Sequence, residues 1–299
     1  MIILSTIKRQ SIRFYSTKIP FDTKPFPFSR FEPCCPATSH KADNGFVPCK
    51  QHPIPPVLGK KIDMTEPMTA ASSLRHIVGC VGDGLEWTRS KVESVPGGIV
   101  QILMNAENDW LRHNRPLHTE NALLTTVTDR PMEDHSLPDV LLFPEFKMIP
   151  HVETRHGVLP TDSTLYRVMD SIWRDPSQPL DTIQDWQDIQ ADTVVFVCTH
   201  GRRDLRCGRI GPLIIDEFNR IIQQKGLQDK VQVWGTSHFG GHKFAGNLII
   251  HQRGLGGHMY GNVRQCHVES IFDRHIMQGK VIKEIWRKQV TPPSLSRGI

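Results

Sequence analysis

The chain has 299 residues, 38% of them hydrophobic and 22% charged, a soluble globular composition long enough to bury a real core as one large domain or two ordinary ones. No apolar run approaches the roughly 18 residues that cross a bilayer, so no membrane span is expected. The net charge is +5, but Lys8, Arg9 and Arg13 account for much of it, and the near-neutral remainder gives no electrostatic case for nucleic acid.

Residues 1–18 hold those basic residues among apolar and hydroxyl residues, with no acid before Asp22. That is the composition of a mitochondrial transit peptide, and Arg13-Phe14-Tyr15-Ser16 looks like a processing site for a matrix peptidase. Residues 19–72 form a proline-rich extended arm. Pro20, Pro25, Pro27, Pro33, Pro36, Pro48, Pro53, Pro55 and Pro56 forbid long helices there. The arm carries Cys34, Cys35, His40, Cys49 and His52. These could bind zinc, but no C-x-x-C pair is present, and reduced thiols in a loop are the simpler reading.

Residues 73–153 read as a first α/β unit. Strands are expected over His76–Val81, Asn121–Val127 and Val140–Phe143, with a helix over Gly98–Leu111. Residues 154–192 read as a linker with a short helix near Leu165–Trp173. The second unit, 193–290, is clearer. Val194-Val195-Phe196-Val197 is a continuous apolar run, as in a strand buried on both faces. Ile210, Leu213, Ile214, Phe218, Ile221 and Ile222 follow at helical spacing, and Gly226 ends that helix. Strands are then expected around Val231–Val233, Leu248–Ile250 and His258–Val263. A last helix covers Val268–Ile276, before a tail at 291–299. This order suits a thioredoxin-like α/β layer. Cys80 and Cys198 each close the first strand of a unit, which hints at a diverged duplication.

The segment Cys198-Thr-His-Gly-Arg-Arg-Asp-Leu-Arg-Cys207-Gly carries the chemistry. One cysteine closes a strand and the other opens a helix. Arg202, Arg203, Arg206, Arg209 and the helix N-terminus would favour thiolate. The next strand runs into His238-Phe-Gly-Gly-His242. In a thioredoxin-like topology these two strand ends lie side by side, which brings two cysteines and two histidines to one sheet edge. Zinc takes such a set tetrahedrally. A [2Fe–2S] cluster takes it as two thiolates on one iron and two imidazoles on the other. Spacing does not decide between them, and buried thiols with satisfied core histidines are the plainer alternative.

The Cys198–Gly208 segment, the H-F-G-G-H-K-F-A-G-N run at His238–Asn247 and Gly256-Gly-His-Met-Tyr-Gly261 resemble the sucrase/ferredoxin-like family of thioredoxin-fold proteins. His76–Trp87 and the run Asp139-Val-Leu-Leu-Phe-Pro-Glu-Phe146 extend the resemblance over most of the chain beyond residue 70. The resemblance implies a [2Fe–2S] cluster on Cys198, Cys207, His238 and His242. Family members often have Trp before Tyr-Gly, where this chain has His258 and Met259. With neutral imidazoles the oxidised centre would carry less negative charge than a four-thiolate one, which makes reduction easier.

The expected function is therefore that of a mitochondrial [2Fe–2S] protein, in the matrix rather than the intermembrane space, acting in electron transfer or redox quality control. It would exchange electrons with a redox partner protein that the sequence does not identify. The alternatives are a thiol–disulfide oxidoreductase, which the absence of C-x-x-C disfavours, and a zinc-stabilised interaction module. No G-x-S-x-G elbow supports a hydrolase.

Overall fold

The computed structural model describes residues 28–29, 73–117, 123–132, 137–180, 182–282 and 285–293. The expected transit peptide, most of the arm, and Cys34, Cys35, His40, Cys49 and His52 lie outside them.

The first half starts with β2 (Arg75–Cys80), after a two-residue strand β1 (Phe28–Ser29) that pairs further along the chain. Then come α1 (Ile99–His113), β3 (Leu123–Thr128), β4 (Asp139–Phe143), β5 (Lys147–Ile149) and α2 (Thr164–Arg174). β2 pairs parallel to β3 and antiparallel to β4, and β4 pairs antiparallel to β5. α2 begins at Ser163, whose hydroxyl accepts the Tyr166 N–H at 3.2 Å, a side-chain cap for an otherwise orphaned amide. Its Leu165, Val168, Met169, Ile172 and Trp173 enter one core with Ile99, Ile102 and Leu103 of α1.

After a two-residue edge strand β6 (Gln187–Asp188), the pattern recurs: β7 (Thr193–Cys198), α3 (Leu205–Lys225), β8 (Val231–Thr236), β9 (Leu248–Gln252), β10 (Gly256–Tyr260) and α4 (Gln265–Ile271). β7 is parallel to β8 and antiparallel to β9, and β9 is antiparallel to β10. The two halves share one β–α–β–β–β–α topology. The fold is α/β, with a thioredoxin-like C-terminal half on a topologically equivalent N-terminal half. In each, a cysteine ends the first strand and faces a threonine that ends the second: Cys80 opposite Thr128, Cys198 opposite Thr236.

All described strands except β1 and β11 (Val281–Ile282) form one sheet, in the order β12-β10-β9-β7-β8-β3-β2-β4-β5-β6, with β12 at Trp286–Thr291. The halves join where Thr128 pairs antiparallel with Thr236. Ser237 N–H donates to the Val127 carbonyl at 2.9 Å and Asp129 N–H to the Gly235 carbonyl at 3.2 Å. A further backbone bond links the halves at the other end of the sheet order. Ser73 N–H, just before β2, donates to the Val290 carbonyl of β12 at 3.1 Å. Between the half-sheets lies a third core, where Val78, Leu141 and Phe143 meet Val194 and Phe196. Phe143 stacks on His251 at 4.3 Å between ring centroids.

The strand expected over His258–Val263 is β10, which starts two residues earlier and ends three residues earlier. The helix expected over Val268–Ile276 is α4 followed by a π-helical turn over Phe272–Ile276. β5, β6, β11 and β12 had no expectation, because two- and three-residue strands carry no period and Arg287–Gln289 of β12 is polar.

A candidate redox centre at the end of strands β7 and β8

β7 delivers Cys198 to the carboxyl edge of the sheet, and α3 returns Cys207 to it. Asp204 caps α3, its Oδ1 accepting the Arg206 N–H at 2.9 Å, so Cys207 sits in the first helical turn. Two glycines set the close approach. A Cβ on Gly211 would lie 2.5 Å from the Cys198 carbonyl oxygen, and one on Gly208 would lie 2.5 Å from Gly201 Cα. Both cysteines are buried and free, and each thiol is the leading influence on the other's proton.

β8 carries the chain to His238, and a turn follows in which Gly240 and Gly241 take φ of 100° and 64°, a region where a Cβ is costly. The buried Asn247 side chain clamps this turn, its Nδ2 donating to the carbonyls of Gly240 (3.3 Å) and Gly241 (2.7 Å). His238 is half-buried and His242 is exposed, with 5.4 Å between ring centroids. His238 also reaches the Cys198 thiol. Its Nδ1 is buried with no hydrogen-bond partner, a state that native structures rarely leave uncompensated.

The four expected residues thus gather at one edge as two pairs, Cys198 with Cys207 and His238 with His242. Among the described residues, no group of three or more His, Cys, Asp or Glu side chains closes on a single ion position.

The Cys198 thiol is lowered from its ordinary value, chiefly by its hydrogen bond from Cys207 and then, against burial, by His238. Cys207 is raised by the same bond and by burial. The arginines expected to favour the thiolates play little part. Arg206 is tied to Asp204 through Nε at 3.0 Å and Nη2 at 2.8 Å, and Arg202, Arg203 and Arg209 are exposed. Burial and the neighbouring His238 lower His242.

Two further residues, neither among the four expected ligands, shape the site. His200 Nε2 meets the Arg89 carbonyl at 2.7 Å, and its Nδ1 accepts the His238 backbone N–H at 3.4 Å. It thus ties the His238 turn to the other half. The only sequence signal for it was its place two residues after Cys198. Asn247 closes the H-F-G-G-H-K-F-A-G-N run, and that proximity to the glycines was its signal.

A model of the sucrase/ferredoxin-like family matches residues 67–288. The chain belongs to this family. Among curated relatives, altered inheritance of mitochondria protein 32 of Clavispora lusitaniae is 29% identical over 278 residues, covering 88% of this chain and 97% of that protein. The Meyerozyma guilliermondii protein of the same name is 27% identical over 283 residues, covering 88% and 96%. Among solved structures, a thioredoxin-like [2Fe–2S] ferredoxin from Aquifex aeolicus is 19% identical, with a TM-score of 0.30, covering 35% of this chain and 97% of its own. In this family member no described helix is long and apolar enough to cross a membrane.

Proposed function

We propose that Cys198, Cys207, His238 and His242 hold a [2Fe–2S] cluster and that the protein acts in electron transfer or redox quality control. The observation that carries this is the grouping of the four side chains as a thiol pair and an imidazole pair at one sheet edge, with His238 Nδ1 buried and unpartnered. A binuclear cluster with mixed ligation asks for two ligands on each of two irons, whereas a structural zinc ion asks for four at one point. The cluster, when bound, supplies one-electron redox chemistry. The chain supplies two thiolates, two neutral donors, a glycine turn shaped around them, and an exposed edge at His242.

Anaerobic purification followed by an optical spectrum and by iron and sulfide analysis tests this. About two irons and two sulfides per chain are expected, and Cys198→Ala or Cys207→Ala should abolish both. Stoichiometric zinc in a colourless protein would overturn the proposal.

One observation favours a second reading. Cys198 and Cys207 are both free and buried side by side, and the Cys198 thiol is lowered by its neighbours Cys207 and His238, as a thiol–disulfide oxidoreductase would need. Thiol titration of iron-free protein before and after oxidation, with a loss of two thiols blocked by Cys198→Ala, would support it.

The acid-free basic N-terminus and the names of the relatives support residence in mitochondria, and the Arg13–Ser16 site, which looks like one for a matrix peptidase, favours the matrix over the intermembrane space. The mature chain should begin near Ser16. Recovering Met1 on protein from purified mitochondria would refute the cleavage.

A further inference from the structure

A cavity of about 910 Å³ opens where the carboxyl ends of β2, β3, β7 and β8 converge. In α/β proteins ligands bind outside the carboxyl ends of strands, and this volume is at the upper end for small-molecule sites. Both halves build it. Asp83, Trp87, Asp129 and Pro131 come from the first. The Thr199–Arg202 loop, Ile215 and Asn219 of α3, and Val233 and Trp234 of β8 come from the second. None of the four proposed cluster ligands lines it. Its wall at Thr199 nevertheless adjoins Cys198, and His200, in the same wall, holds the His238 backbone.

The lining specifies a chemistry. Both indole N–H groups are engaged elsewhere, that of Trp87 with the Gly82 carbonyl at 2.8 Å and that of Trp234 with Gln232 Oε1 at 3.5 Å. Ring surface is therefore what they offer a ligand, and Ile215, Val233 and Pro131 add apolar surface. Such walls suit a flat aromatic ring. The polar groups are mixed. Asp83 and Asp129 accept hydrogen bonds, while Arg202 and Asn219 donate them. Asp83 and Arg202 stand in none of the ion pairs formed among the described residues. Asp129 Oδ1 accepts the Gly235 N–H at 2.8 Å, and burial of this carboxyl raises it.

We propose that this cavity binds a planar heteroaromatic ring of flavin size, bearing ring N–H donors and carbonyl acceptors on its edge, beside the loop that carries the candidate redox centre. Aromatic contact with Trp87 and Trp234 holds the ring. Asp83 or Asp129 takes a ring N–H, and Arg202 or Asn219 donates to a ring carbonyl.

The test is titration of the full chain into riboflavin, following quenching of flavin fluorescence, with adenosine as a smaller competitor. Saturable quenching is expected, with adenosine displacing it poorly. Trp87→Leu and Trp234→Leu should each weaken binding about tenfold, the scale of one lost aromatic contact. Arg202→Gln should weaken it by a similar factor through a lost charge-assisted hydrogen bond. Arg202 is exposed, so this variant reads the site even if a tryptophan variant fails to fold. Absent or non-saturating quenching, or an affinity unchanged in Arg202→Gln and in the folded tryptophan variants, would overturn the proposal. The titration is run on iron-loaded and on iron-free protein. Riboflavin binding without iron upholds the cavity even if the cluster assignment fails.

Discussion

At Cys198 one residue serves two ends: it finishes a strand buried on both faces, and it turns its thiol toward Cys207 and His238. The histidines differ from the cysteines in charge. In the proposed cluster an imidazole would be a neutral ligand, so replacing it by a thiolate would add one negative charge to the centre and disfavour a further electron. His238→Cys and His242→Cys should therefore keep a cluster but lower its potential, most in the double variant, toward the roughly −400 mV of plant-type ferredoxins. Protein-film voltammetry of the wild type and the three variants measures this. Superimposable waves would remove both histidines from the coordination sphere and turn attention to His200.

Among the elements, α3 sets the site's dimensions, because its glycines let the helix lie against the β7 end. Gly211→Ala places a methyl against backbone, with 2.5 Å to the Cys198 carbonyl oxygen and 2.9 Å to Thr199 Cγ2. The expected cost is about 1–3 kcal/mol of stability. The helix must move, which carries Cys207 away from Cys198 and reduces iron per chain. Gly226→Ala is the control. Gly226 ends the same helix at φ of 65° with open space around it, so the variant should cost about 1–2 kcal/mol of backbone strain and leave iron content unchanged. Urea unfolding and iron analysis of the two variants separate these cases. Equal iron loss in both would mean that helix stability, rather than helix placement, governs the site.

For the whole molecule, the packing of the two half-sheets buries histidines between them. His76 of β2 meets His251 of β9, Nδ1 to Nε2 at 2.9 Å, and its Nε2 meets Thr126 Oγ1 at 2.8 Å. Phe143 and Phe196 pack around this pair. Burial pushes His76 down to about 3, and burial with His76 as neighbour pushes His251 well down. Burial also lowers His258 to about 4. An unfolded histidine takes its proton near pH 6.5, so the unfolded chain binds protons that the folded chain refuses. Stability is fully present above about pH 6.5 and falls by about 1.4 kcal/mol per pH unit for each such histidine, down to its folded value. The urea midpoint should drop steeply between about pH 6.5 and 4.5. His76→Gln should make that drop shallower by one histidine's share, whatever it costs at pH 8. A midpoint level from pH 8 to 5 would contradict this linkage.

The strands β2, β4, β7 and β9 and the helices α1 and α3 were legible in the sequence because each carries enough residues for its period or apolar run to stand out. The Cys198, Cys207, His238 and His242 set was legible for a related reason. Glycines mark the loop and turn that carry these residues, and parallel pairing of β7 with β8 puts the two strand ends side by side. The order of the ten strands was not legible, because the Thr128–Thr236 junction is one residue pair at the tips of two strands and leaves no pattern. Nor was the fate of the buried histidines. A histidine in a strand reads the same whether it faces solvent, a ligand or another histidine, and only the packing of the two half-sheets set His76 against His251. Local period and spacing marked the elements and the loop and turn that bring the two cysteines and two histidines to one sheet edge. Contacts more than a hundred residues apart in sequence, His200 to Arg89 and His76 to His251, decided what surrounds them.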